Sequence, residues 1–240
     1  MDRPTLNGLR KELCTIADRQ AAEQLQRYFK TGAGEYGEGD RFLGVRVPRL
    51  RRLAKGYRTL PLDACTELLR SPWHEERLLA LLIFVAQYRN GDAEVRSTIH
   101  ERYLAHTRYV NNWDLVDASA EHLVGAHITP ADTGLLFRLA RSSTVWERRI
   151  AIMSTFYWIK RNEFAPTLAV AELLLADPHD LIHKAVGWML REIGKRDLPS
   201  EEAFLAAHYR RLPRTMLRYA VERFPEERRQ QYLRGEVVRE

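Results

Sequence analysis

The sequence predicts an all-α fold, specifically an α-solenoid of HEAT-like two-helix repeats with a concave basic face. Apolar residues recur with a period near 3.6, strand-like alternation is nearly absent, and a helical motif recurs about every 35 residues. The chain has 240 residues, of which 45% are hydrophobic and 29% charged, which suits a globular protein with a sizeable core. We therefore expect residues 1–240 to form one repeat domain of about six helical pairs.

The predicted helices are separated by Pro, Gly or Asp and joined by short connections. The exception is the Gly-rich loop 31–48, which follows a helix and lacks the Lys-Ser/Thr ending of a P-loop. We expect an ordered surface loop, with contact between its backbone and phosphate as the alternative. In chain order, and to within about 2–4 residues, the predicted helices span 4–17, 19–30, 48–57, 62–70, 74–89, 92–105, 113–125, 131–141, 146–160, 165–176, 180–195, 200–211 and 214–223.

A basic residue opens an apolar helix in four similar segments, at Arg77, Arg149, Lys184 and Arg218. Their separations are 72, 35 and 34 residues, so the first gap holds two units of about 36 residues. The unit in that gap places Trp113 in the position that is basic elsewhere. In this register, we expect the basic positions to face the concave surface of the solenoid.

The segment NNWDLVD at 111–117 places Trp113 and Asp117 one helical turn apart, so their side chains cover the same patch of a helix. Trp188 lies beside the apolar face of its helix, on a stripe with Lys184, Arg191 and Lys195. Aromatic rings among cations are typical of a nucleic-acid surface, because bases stack on rings and phosphates pair with cations. The structural alternatives are a core ring for Trp113 and a structural salt bridge for Arg149.

Charge and composition favour a polyanionic partner. The chain has 38 Lys and Arg against 32 Asp and Glu, a net charge of +6. The N-terminus has no apolar signal core, and the longest apolar run, at 78–86, is too short to span a bilayer. We expect a cytoplasmic, nucleoid-associated monomer with reduced thiols and no membrane partner. Because there is no HExxH motif, paired cysteine ligands or GxSxG elbow, we expect neither a metal nor another cofactor.

Three motifs resemble those of the DNA alkylation repair family of HEAT-like proteins: NNWDLVD, WERRIAI and KAVGWMLRE. The likeness extends in order from about residue 20 to 224. It implies a curved solenoid that wraps duplex DNA and excises cationic alkylpurines, such as 3-methyladenine and 7-methylguanine, without a metal or base flipping. By the same resemblance, Asp117 matches the catalytic carboxylate, Trp113 and Trp188 match two active-site tryptophans, and Arg149 matches an arginine of the cleft.

Tyr28 and Arg191 resemble further cleft positions of the family. The full set of residues expected to bind DNA is Tyr28, Arg51, Arg52, Arg77, Lys184, Arg191 and Arg218. Two other functions stay open at this point: a non-catalytic HEAT-like protein that recognises damaged or branched DNA, and a protein-binding scaffold. An acidic or apolar concave face would favour the scaffold.

Overall fold

The computed structural model describes residues 4–236, and its regular elements in that range are helical apart from one isolated bridge between Arg41 and Trp73. The all-α prediction is confirmed. The chain divides into two compact units, Met1–Leu123 and Val124–Glu240, which we call the N-terminal and C-terminal units. The single repeat domain over 1–240 stays a prediction. Within residues 4–236 no helix is long and apolar enough to cross a bilayer.

The N-terminal unit is organised around its longest helix, α5. Helices α3, α4, α6 and α7 all pack on α5, whose Leu79, Leu81, Ile83 and Phe84 are fully buried. The helices of this unit are α1 Leu6–Thr15, α2 Arg19–Tyr28, α3 Val47–Gly56, α4 Leu62–Leu69, α5 His74–Asn90, α6 Ala93–Ala105 and α7 Trp113–Asp117, with a 3-10 turn at Thr107–Tyr109.

The C-terminal unit is organised in the same way around α12. Gly187 of α12 lies so close to α14 that a Cβ atom would be 2.4 Å from the carbonyl oxygen of Met216, so only glycine permits this approach. The helices are α8 Gly134–Ala140, α9 Val145–Ser154, α10 Phe156–Ile159, α11 Ala165–Leu173, α12 Asp180–Gly194, α13 Leu198–His208, α14 Arg214–Ala220 and α15 Glu226–Arg234, with a 3-10 turn at Val221–Arg223.

Two predicted helices are broken by hydroxyl side chains that bond to the backbone. The helix expected at 113–125 ends at Asp117 and continues as a π-turn at Glu121–Gly125, since Ser119 Oγ donates to the carbonyl of Leu115 at 2.6 Å. The helix expected at 146–160 divides at Thr155, whose Oγ1 donates to the carbonyl of Ile152 at 2.7 Å. Helix α15 was not predicted.

The repeat register predicted from the sequence is wrong by one residue at Arg77. Arg77 Nη1 donates to the carbonyl of Ser71, six residues earlier, and Arg148 Nη1 makes the same bond to Ser142. His183 bonds the carbonyl of Asp177, again six residues back. Each of these side chains thus bonds to a carbonyl that follows the preceding helix. The residue equivalent to Arg77 is therefore Arg148, and the proposed match of Arg77 to Arg149 is wrong.

The loop 31–48 is ordered and tied to the start of α5. The carboxylate of Glu75 accepts from the N–H groups of Leu43 at 2.8 Å, Gly44 at 2.8 Å and Val45 at 3.1 Å. Gly44 has a φ of +85° and lies against α2, where a Cβ would be 1.9 Å from the carbonyl oxygen of Asp18. These contacts hold the C-terminal part of the loop against α2 and α5.

The Gly-rich end of the same loop is capped by acidic side chains. Glu35 accepts from the N–H of Gly32, and Glu38 accepts from the N–H of Gly34, each at 2.9 Å. Two carboxylates at these positions repel an anion. The structure therefore does not favour the alternative in which these N–H groups bind phosphate.

Candidate functional site

Helix α7 presents a ring and a carboxylate to one cleft. Asn112 caps its start by accepting from the N–H of Trp113 at 2.9 Å, and Asp117 is its last residue. Trp113 and Asp117 are both half-buried and line a cleft of about 620 Å³ within the N-terminal unit, together with Tyr28 and Arg51. The predicted one-turn spacing of Trp113 and Asp117 is thereby confirmed.

The ring of Trp113 belongs to an aromatic stack as well as to the cleft. It stacks on Phe29, with ring centres 5.2 Å apart and planes at 25°. Tyr28 approaches it edge-on at 6.1 Å and is itself 64% exposed. Phe29 thus supports one side of Trp113, while Tyr28 offers an exposed ring to a ligand. No pattern in the sequence indicates this role for Phe29.

Exposed cations line the cavities to which Asp117 also contributes. A second cavity of about 460 Å³ adjoins the first, and both are lined by Arg51 and Asp117. We call the exposed cations that line these two cavities the cationic rim: Arg46, Arg51, Lys55, Arg58 and Arg89. Arg51 and Lys55 are one turn apart on α3, so a search for i,i+4 cations would have found Lys55.

Arg52 faces a different surface from Arg51. It lines a separate cavity of about 690 Å³, together with Arg49, Glu12 of α1 and Tyr57. The structure therefore places Arg51 at the cleft of Asp117 and places Arg52 on the side of α1. We include Arg51, but not Arg52, in the proposed DNA-binding surface.

A buried network of two carboxylates and two cations lies beneath α7. His74 Nδ1 is 2.8 Å from Asp40 Oδ2, and His74 Nε2 is 2.8 Å from Asp114 Oδ2. Arg77 Nη2 donates to Asp40 Oδ1 at 2.6 Å. Burial opposes ionisation of Asp40, but the bonds from His74 and Arg77 hold the pKa of this carboxyl below its ordinary value.

Arg77 is unavailable to a phosphate in this arrangement. Its side chain is only 5% exposed, and it neutralises the buried carboxylate of Asp40. The sequence pattern could not show this, because Asp40 lies 37 residues away in the loop. We therefore leave Arg77 out of the proposed DNA-binding surface.

In the C-terminal unit, Trp188 lies half-buried on α12. Its indole N–H donates to Glu192 Oε1 at 3.2 Å, and its ring centre is 5.9 Å from that of Phe156. Burial raises the pKa of Glu192, but Lys195 and Arg196 together with the indole lower it below its ordinary value. Glu192 thus stays ionised and fixes one edge of the indole.

Arg149 is buried in the same unit and ties α9 to α12. Its Nη1 donates to the carbonyl of Leu181 at 2.6 Å, in the first turn of the helix that carries Trp188. Lys184 pairs with Asp180 at 2.7 Å, and Arg191 pairs with Glu222. Arg218 is exposed on α14.

The expected site residues thus fall into two groups, each within one unit. Tyr28, Arg51, Trp113 and Asp117 line one cleft of the N-terminal unit. Arg149 and Trp188 lie on packed helices of the C-terminal unit.

Comparisons with known proteins agree with the family resemblance. A sequence model described as "DNA alkylation repair enzyme" matches residues 9–224, which is most of the chain. The fold is similar to that of a predicted DNA alkylation repair enzyme from Enterococcus faecalis, with a TM-score of 0.67 and 17% sequence identity over 88% of this chain and 97% of that one. No curated protein shows a significant match. The chain therefore belongs to the DNA alkylation repair enzyme family, which implies DNA as its substrate or partner.

Proposed function

We propose that the protein is a DNA glycosylase that excises cationic alkylated purines, such as 3-methyladenine and 7-methylguanine, from duplex DNA without base flipping. The observation that carries this proposal is the position of Asp117 beside Trp113 in a cleft bordered by the cationic rim. The cations suit a phosphate backbone, and the carboxylate and the ring suit a developing positive charge.

The chemistry requires few groups. Methylation of a ring nitrogen makes the purine cationic, so the glycosidic electron pair departs with the base, which leaves neutral and needs no acid. The deoxyribose then carries positive charge, as in other glycosidic cleavages. Asp117 stabilises this charge and orients a water that attacks the anomeric carbon, and the water proton passes to the carboxylate or to solvent.

The aromatic rings of the site add a smaller stabilisation of the positive charge. The face of an electron-rich indole attracts a nearby cation by about 0.5–2 kcal/mol. Trp113 is held by Phe29 with its ring at the cleft, and the exposed ring of Tyr28 extends this surface. We propose that both rings contact the cationic nucleotide, and that Trp188 is the second active-site tryptophan.

The remaining cations act on the backbone of the DNA. The cationic rim binds phosphates near the lesion, which fixes the sugar relative to Asp117. Lys184, Arg191 and Arg218 add further phosphate contacts. Arg149 serves the site through its bond to Leu181, which fixes the start of the helix carrying Trp188.

The test is incubation of the protein with a duplex that contains one N7-methylguanine, followed by chromatography of the released base. Release by the wild-type protein and its loss in Asp117→Asn are the expected results. If the wild-type protein releases no base yet binds damaged or branched duplexes tightly, the enzyme proposal fails and the non-catalytic DNA-binding function replaces it.

A further inference from the structure

We propose that His74 is a positioning residue for α7: as an imidazolium shared between Asp40 and Asp114, it fixes the orientation of Trp113 and Asp117 in the cleft. The effect on base excision depends on the proposed function, whereas the positioning of α7 does not.

The hydrogen-bond geometry indicates the protonation state of this histidine. Each ring nitrogen of His74 is 2.8 Å from a carboxylate oxygen, one from Asp40 and one from Asp114. A neutral imidazole has a single N–H and can donate to only one of the two carboxylates. With its side chain 2% exposed, His74 has no room for water to replace the missing donor. Two carboxylate acceptors therefore fit an imidazolium, which carries an N–H on each nitrogen.

The imidazolium reaches the site by two routes. The first is Asp114, which is the second residue of α7 and lines the same cleft as Trp113 and Asp117. The second is the aromatic stack: the His74 ring centre is 5.0 Å from that of Phe29, which in turn stacks on Trp113. A change at His74 therefore reaches both α7 and the ring that supports Trp113.

The groups facing His74 come from the loop 31–48, from α7, from the end of α2 and from its own helix. From the loop 31–48 come the carboxylate of Asp40 and the ring of Phe42, whose centre is 4.4 Å away. From α7 comes the carboxylate of Asp114, and from the residue that follows α2 comes the ring of Phe29. From its own helix, Arg77 reaches the far oxygen of Asp40, while Glu75 turns towards the loop backbone.

The charge of His74 depends on the two carboxylates that face it. Burial alone lowers the pKa of the imidazole, but Asp114 and Asp40 raise it, to about 9. Both carboxylates are thus neutralised by a cation at physiological pH. Deprotonation above that value removes one donor and leaves Asp114 facing an uncharged ring, so the start of α7 is released.

The test follows His74 and Trp113 together by NMR. The protein is ¹⁵N-labelled, and the indole N–H signal of Trp113 is assigned by its absence in Trp113→Phe. We expect the imidazole of His74 and the indole of Trp113 to titrate with one midpoint near pH 9. A midpoint near 6.5 for His74, or a Trp113 signal that does not follow it, overturns the proposal.

Asp114→Asn provides the matched variant. An amide keeps an acceptor oxygen for His74 but removes one negative charge, so both midpoints should fall together by about 1–3 pH units. An unchanged midpoint for His74 contradicts the proposal. His100→Gln is the control, because this histidine is also buried in the N-terminal unit but bonds the carbonyl of Leu123. It should leave the midpoint of Trp113 unchanged.

Measurements of the excision rate test whether this positioning affects function. Rates are compared at pH 6 and pH 8, where 7-methylguanine survives and wild-type His74 stays charged. We expect the rate at pH 8 relative to pH 6 to fall in Asp114→Asn but not in the wild type. An equal ratio in both proteins, with shifted NMR midpoints, refutes the link to excision. If no protein excises base but the signals titrate together, the glycosylase proposal fails while the positioning of α7 stands.

Discussion

Arg77 and Arg148 make the same bond in two different helical pairs. Each is the fourth residue of its helix, and each donates through Nη1 to the carbonyl six residues earlier, that of Ser71 or Ser142. Each also pairs with a buried aspartate at 2.6 Å, Asp40 or Asp177. Each arginine thus ties its own helix to the end of the helix that precedes it.

Replacement of Arg77 by Met should destabilise the protein. The change leaves Asp40 buried with one cation fewer, and loss of one partner from a buried pair typically costs about 3–5 kcal/mol. Urea denaturation measures the change in the free energy of unfolding. Arg218→Ala, at an exposed position, is the control and should change stability by less than about 0.5 kcal/mol. Equal stability of the two variants would contradict the structural role of Arg77.

Asp117→Asn should reduce excision by about 10²–10³-fold, the usual loss when one preorganised electrostatic group is removed. Fold and DNA affinity should survive, since the amide has nearly the same size. Single-turnover release of 7-methylguanine measures the effect. Asp63→Asn, which changes a carboxylate with a 91% exposed side chain on α4, should excise base normally. Normal excision by Asp117→Asn removes this carboxylate from the mechanism.

Replacement of three different tryptophans by alanine should reduce the free energy of unfolding by different amounts. Trp158 is 2% exposed, so Trp158→Ala should lower the free energy of unfolding by about 3–5 kcal/mol. Trp113→Ala and Trp188→Ala should cost less, because both rings are half-buried, yet both should reduce excision. Thermal melts and excision rates are compared for the three variants. A loss of stability as large as that of Trp158→Ala would identify either ring as part of the core.

Adjacent arginines on α3 provide a matched test of DNA binding. Arg51 lines the cleft of Asp117, whereas Arg52 faces the cavity beside α1. Affinity for duplex DNA should fall with salt, with log K decreasing by about 0.9 per neutralised phosphate for each tenfold rise in salt. Arg51→Ala should reduce this slope by about one phosphate contact, and Arg52→Ala should not. Equal slopes for the two variants would argue against the cationic rim.

Glu201 should make stability dependent on pH. Burial of this carboxyl, with a smaller effect from Glu202, raises its pKa from 4.5 to about 8. The folded protein therefore holds a proton that the unfolded chain releases above about pH 4.5. Stability from this group is complete below pH 4.5 and is lost up to about pH 8, by at most about 1.4 kcal/mol per pH unit. Glu201→Gln should flatten this part of the curve in melts from pH 4 to 8.

The sequence predicts features that depend on local spacing. Trp113 and Asp117 share a cleft because residues four apart share a helix face, and this holds whatever packs around them. It does not predict His74, whose partners Asp40 and Asp114 are distant in sequence, or Phe29, whose ring meets Trp113 only in the folded chain. The register of Arg77 is wrong for a related reason: Arg148 and Arg149 are adjacent, and only the bond to the carbonyl six residues earlier identifies Arg148 as the equivalent of Arg77.

The bonds of Glu75 make the loop a reporter on the start of α5. The amide protons of Leu43, Gly44 and Val45 all bond to one carboxylate some 30 residues away in sequence. Their hydrogen exchange with solvent therefore requires the same event, detachment of the loop from α5. These three amides should exchange at a common opening rate under native conditions. Their shared protection would thus record how often the loop detaches from α5.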